Sequence, residues 1–123
     1  MSNPRNLARL EDMLSYAQEA VEITKGKTRQ DLDDERLLNL AVVRLLEIIG
    51  EAANKIPREE CWKYPEIPWS AIVSMRNRLI HAYGDIDLDI VWQVVKDNLP
   101  TLIEQLKVII SNLNERVVGE TPP

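Results

Sequence analysis

The order of apolar and polar positions divides the chain into helical segments. Leu7, Leu10, Leu14, Ala17 and Val21 recur at alternating spacings of three and four, the period of an amphipathic helix that ends near Lys25-Gly26-Lys27. Ser2-Asn3-Pro4 suits its start: a capping side chain, then a proline whose missing N–H costs nothing in a first turn. A polar connection follows, acidic at Asp31, Asp33, Asp34 and Glu35, which favours the N-terminus of the next helix. That second helix, predicted over residues 33–55, has the broadest apolar coverage (Leu37, Leu38, Ala41, Leu45, Ile48, Ile49, Ala52) and is expected to be central.

Pro57, Pro65 and Pro68 interrupt the pattern over residues 56–68. A loop with one short helical turn is predicted there, held against the domain by Trp62. Residues 69–83 resume helical character, with Gly84 suited to the left-handed position just past the end. One aspartate of Asp85-Ile-Asp87-Leu-Asp89 is expected to cap a further helix that turns Ile90, Val91, Val94 and Val95 inward. Pro100 then starts or kinks the last helix, where Leu102, Leu106, Ile109, Ile110, Leu113 and Val117 keep the period, and residues 119–123 read as a frayed tail. No strand alternation and no repeat is present. The pattern predicts an all-α, up-and-down bundle of about five helices in a single domain over residues 1–123.

Composition narrows the function. With 45% apolar residues and no Phe, the core must be built from Leu, Ile, Val and Ala. A formal net charge of −5 argues against a general nucleic-acid coat and leaves room only for a local basic patch, for which Lys55, Arg58, Lys63 and Arg78 are candidates. The single cysteine, Cys61, forms no internal disulfide and suits a reducing compartment. No apolar run approaches membrane-spanning length, so a soluble, cytoplasmic protein with no membrane partner is expected.

The chemistry concentrates on the helix over residues 69–83, which carries the only histidine, His81. On a helical wheel Ile72, Met75, Leu79, Ile80 and Tyr83 form an apolar stripe with Arg76 in its middle. Ser70, Ser74, Asn77 and His81 share the opposite face, and Asn77 and His81 are one turn apart. A guanidinium in an apolar stripe needs an anion. Glu47 or Glu51 could supply it across the bundle; alternatively Arg44, Glu47 and Glu51 form an ion-pair strip within the second helix. One histidine and one distant cysteine give no zinc pattern. The aspartate triplet fails as a calcium loop, because Ile90 and Lys96 stand where glycine and glutamate belong. No metal or cofactor is therefore expected. Histidine acid–base chemistry beside an arginine remains, which suits cleavage of RNA through its 2′-OH. One histidine cannot readily be base and acid in the same step, so catalysis points to two chains about a two-fold axis.

Arg76-Asn77-Arg78-Leu79-Ile80-His81-Ala82-Tyr83 resembles the RxxxxHxY motif of HepT-like toxins, a branch of the HEPN ribonuclease superfamily. Asn77 directly after the motif arginine, Glu47-Ile-Ile-Gly-Glu51-Ala-Ala, Ile67-Pro68-Trp69, Val91-Trp92 and Leu99-Pro100 extend the resemblance over most of the chain. The resemblance implies a HEPN-like helical bundle forming a homodimer or a dimer of dimers. It also implies a metal-independent endoribonuclease, the toxin of a type VII toxin–antitoxin pair. By that analogy Arg76 and His81 carry catalysis, Asn77 orients the site, and an MntA-type nucleotidyltransferase antitoxin silences the toxin by adding AMP to Tyr83. The competing readings are a non-catalytic helical module that binds a nucleotidyltransferase, and a nucleotide-binding domain without nuclease activity.

Overall fold

The computed structural model describes residues 3–81 and 85–120, with side chains through residue 115. Helix α1 (Pro4–Ile23) starts where the Asn3 side chain accepts the Arg5 N–H at 2.9 Å; Ser2 lies outside the described residues. Thr24 closes α1 by donating its hydroxyl to the carbonyls of Ala20 and Val21, and Gly26 turns the chain at φ 75°. The buried row is Asn6, Leu10, Met13, Ala17 and Ala20. It is rotated slightly from the predicted stripe, so that Leu7, Leu14 and Val21 sit half-buried at its edge.

The second predicted helix is divided. A single turn, α2 (Asp31–Asp34), is separated from α3 (Arg36–Asn54) by an extended Glu35 with φ −108° and ψ 97°. Local pairing accounts for the break. Glu35 bridges to Lys27 at 3.0 Å, which holds the Lys27 ammonium above its ordinary range, while Asn39 donates to the Leu32 carbonyl and Leu32 is buried beneath the turn. Helix α3 is central, packed against α1 on one side and α5 on the other. Its two buried faces comprise Leu38, Val42, Val43, Leu45, Leu46, Ile49, Gly50, Ala52 and Ala53. Leu37 and Ala41, expected inside, point outward instead, and Leu37 is 81% exposed.

A short turn, α4 (Arg58–Cys61), occupies the proline-rich connection as predicted, but Trp62 does not anchor it and is 71% exposed. Trp69 is the anchor: its indole N–H reaches the carbonyls of Cys61 and Tyr64, each at 3.1 Å. Helix α5 (Trp69–His81) follows, then α6 (Leu88–Gln93), which the Asp87 carboxylate caps by accepting from the N–H groups of Asp89 and Ile90. Val91 and Val95 are buried, whereas Ile90 and Val94 are half-buried. Near Pro100 the chain passes through a π-type turn (Val94–Asn98) into α7 (Leu99–Glu120) without leaving the helix. Proline donates no N–H and crowds the carbonyl four residues back, and a wider turn accommodates both constraints. Helix α7 includes Gly119 and Glu120, the first two residues of the predicted frayed tail, and residues 121–123 lie outside the described residues.

The result is an all-α bundle of four long helices and shorter turns. Helices α1, α3 and α7 supply most of the continuous core. No described helix is long and apolar enough to cross a membrane.

Candidate functional site

The site begins with a missing side chain. Helices α3 and α5 cross at Gly50, where an added Cβ would collide with the Cβ of Arg76, lie 2.8 Å from its Cγ and sit 3.2 Å from the Ile72 carbonyl. Glycine here lets the aliphatic stem of Arg76 lie directly on the α3 backbone. That resolves the anomaly on the wheel: the stem occupies the apolar stripe, and the charged head emerges at the edge.

The head has no carboxylate partner among the described residues. Glu47 and Glu51, the proposed partners, are both held by Arg44, at 3.1 and 3.3 Å, and it is the strip within α3 that forms. The Glu47 hydrogen bond, with the Glu51 charge behind it, raises the Arg44 guanidinium above its ordinary value. Arg76 donates one NH group to the Asn77 side-chain oxygen at 3.0 Å, and its Nε is buried without a partner. A buried donor left unpaired costs about 1–3 kcal/mol. Arg76 is thus steered by an amide and keeps capacity for an anion from outside the chain.

Asn77 spends its oxygen on Arg76, and among the described residues no side-chain hydrogen bond joins it to His81, one turn away on the same face. His81 is exposed at the last residue of α5, on the same open face as Ser70, Ser74 and Asn77. Only Leu79 of the predicted apolar stripe is fully buried; Ile72, Met75 and Ile80 are half-covered. Tyr83 and Gly84 lie outside the described residues.

The four candidate RNA-binding cations separate. Lys55 and Arg58 line one cleft of about 610 Å³. Arg78 borders a different hollow shared with Asp85 and Asp87, and Lys63 is paired with Glu60 at 3.0 Å. Cys61 is half-buried, and burial, with the nearby Glu60 charge, pushes its thiol up, consistent with a passive residue. Among the described residues no three His, Cys, Asp or Glu side chains converge as a metal site requires. Sequence reasoning overlooked Gly50, although a glycine in mid-helix, disfavoured by about 1 kcal/mol against alanine, was a readable signal of close approach.

Comparison with known proteins adds a family. The family described as "Ribonuclease HepT-like" matches residues 13–109, a span that holds Gly50, Arg76, Asn77 and His81. A Methanocaldococcus jannaschii protein named "Putative RNase MJ0125" is 37% identical over 107 residues, covering 87% of this chain and 92% of its own. "Probable ribonuclease HepT" of Thermococcus cleftensis is 40% identical over 95 residues, covering 74% of this chain and 86% of its own. "Putative RNase TTE0752" of Caldanaerobacter subterraneus is 36% identical over 110 residues, covering 89% and 96%. No solved structure matches the chain.

Proposed function

Because the chain belongs to the HepT-like ribonuclease family, we propose that it is a metal-independent endoribonuclease in which His81 and Arg76 act on an RNA phosphodiester. The observation that carries this reading is Arg76: its stem is seated on Gly50, its head is steered by Asn77, and it has a buried Nε and no carboxylate partner among the described residues. An oriented cation of this kind suits the phosphoryl oxygens as charge gathers on them.

In the proposed step His81 takes the proton from the ribose 2′-OH, and that oxygen attacks phosphorus. The bond to the 5′-oxygen breaks, and an acid protonates the leaving oxygen. The products are a cyclic phosphate and a 5′-hydroxyl. Geometry argues against one chain supplying every group. Five residues on one helix place Arg76 and His81 about 140° apart around the axis and about 7.5 Å apart along it. A two-fold pair of α5 helices would bring the histidine of one chain towards the arginine of the other and provide the second histidine as the acid. The homodimer is part of the proposal on this ground.

The finer biological reading is a toxin whose partner, an MntA-type nucleotidyltransferase, adds AMP to Tyr83. Tyr83 stands two residues beyond His81, so an added phosphate would repel RNA from the cleft. The exposed Leu37 and Leu40 on α3 favour the second reading, a non-catalytic module that binds such a partner.

One assay separates the two. Protein whose intact mass shows no added AMP is incubated with total cellular RNA in EDTA beside His81→Ala. The ribonuclease reading expects cleavage by the parent alone, leaving 5′-hydroxyl and cyclic-phosphate ends. Metal-dependent cleavage, or cleavage that survives the substitution, overturns the mechanism; an inactive unmodified parent moves the assignment to the interaction module.

A further inference from the structure

Apart from the Arg76–His81 region, the described surface carries a cleft whose charge opposes that of the whole chain. It lies where the end of α3, the turn α4 and the start of α5 meet, and its volume of about 610 Å³ falls within the range of about 300–1,000 Å³ usual for small-ligand sites. The charged residues lining it are Lys55 and Arg58, both cationic, in a chain of net charge −5. Neither makes a side-chain ion pair among the described residues, although Lys27, Arg29, Arg44, Lys63 and Lys107 all do. The neighbouring acids do not enter the cleft: Glu59 and Glu60 do not line it, and Glu60 is buried against Lys63.

Beside these cations stands the most exposed aromatic ring of the described residues. Trp62 is 71% exposed, yet its backbone is fixed: its main-chain N–H bonds to the Arg58 carbonyl at 3.0 Å, and Cys61 before it and Tyr64 two residues after it are tied down through the Trp69 indole. An uncovered indole on a fixed backbone, flanked by unpaired cations, is the arrangement on which an unpaired base stacks while its phosphates are neutralised. The cleft also leads to the chemistry. Ser70 lines it, and Ser70, Ser74, Asn77 and His81 follow one exposed face of α5. At about 1.5 Å per residue His81 lies about 16 Å from Ser70, a length covered by no more than about five stacked nucleotides at about 3.4 Å each.

We propose that this cleft is a binding subsite for a single-stranded stretch of RNA, with a base stacked on Trp62 and the adjoining phosphates held by Lys55 and Arg58, leading along α5 to the scissile bond at His81. The proposal rests on the ribonuclease reading for its substrate but not for its test. The probe is a 2′-O-methyl oligonucleotide of about twelve nucleotides, which cannot be cleaved, titrated while tryptophan fluorescence is followed. The parent should bind with quenching, and Trp62→Ala should weaken binding by about 10–100-fold while Trp62→Phe retains most of it. Lys55→Gln with Arg58→Gln should lower the slope of log affinity against log salt by about 1.4.

A parent that binds the probe as tightly as Trp62→Ala overturns the subsite, even if RNA cleavage is found. Failure of the parent to bind the probe overturns it too. Trp62-dependent binding without any cleavage of ordinary RNA sustains the subsite and rejects the ribonuclease. If Trp62→Ala instead halves the mass in solution and leaves oligonucleotide affinity unchanged, the indole belongs to a protein interface and the proposal fails.

Discussion

A methyl group at position 50 would meet the stem of Arg76, the side chain on which the proposed chemistry depends. Gly50→Ala should gain about 1 kcal/mol of helix propensity yet push α5 or the arginine aside. Displacement of a catalytic group by about 1 Å can cost on the order of 100-fold in rate. Cleavage by Gly50→Ala should therefore fall by about that factor while its circular dichroism spectrum is unchanged; an unaltered rate would mean that the crossing does not position Arg76. Arg76 itself should show function opposed to stability. Arg76→Met keeps an aliphatic stem on Gly50 and removes the buried, unpartnered Nε, so urea unfolding should show no loss of stability or a gain, while kcat drops by about 100–1,000-fold. Loss of both together would identify Arg76 as a structural residue.

The proline-rich connection illustrates how two similar residues acquire different roles in one element. Trp62 and Trp69 are both aromatic and both flank the same turn, but among the described residues only Trp69 finds carbonyls for its indole N–H. Trp69→Phe removes the indole bonds to the Cys61 and Tyr64 carbonyls, which still accept from the Tyr64 and Ile67 backbone N–H groups, and should lower stability by about 0.5–1.5 kcal/mol in urea titration. Trp62→Ala, at a site with little to lose, should remain within about 0.5 kcal/mol of the parent. The reverse ranking would restore Trp62 as the anchor. Elsewhere local signals sufficed: Asn3 and Asp87 cap α1 and α6 where a short polar side chain precedes the helical pattern. The break at Glu35 was not legible in this way, because it depends on Lys27, eight residues back, finding that carboxylate.

Across the whole molecule, α5 stands apart. It packs mainly on α3, buries only Leu79 completely, and leaves Ser70, Ser74, Asn77 and His81 uncovered. A helix so thinly covered is available to a second copy of the chain, and the proposed mechanism needs one. Specific cleavage activity should fall on dilution, in step with the fall from dimer to monomer mass measured by light scattering. Full activity in a monomer would reject the two-chain site.

The period of apolar residues, the caps and the prolines were enough to establish the class of fold and the approximate limits of α1, α5 and α7. Each of these features acts within a turn or two of the chain. The seat of Arg76 on Gly50, the choice of Trp69 over Trp62 and the meeting of Lys55 and Arg58 with the start of α5 arose from the assembled bundle. A helical period tells which residues share a face. Which atoms meet across that face depends on where two helices cross, and at the α3–α5 crossing a single absent side chain sets that point.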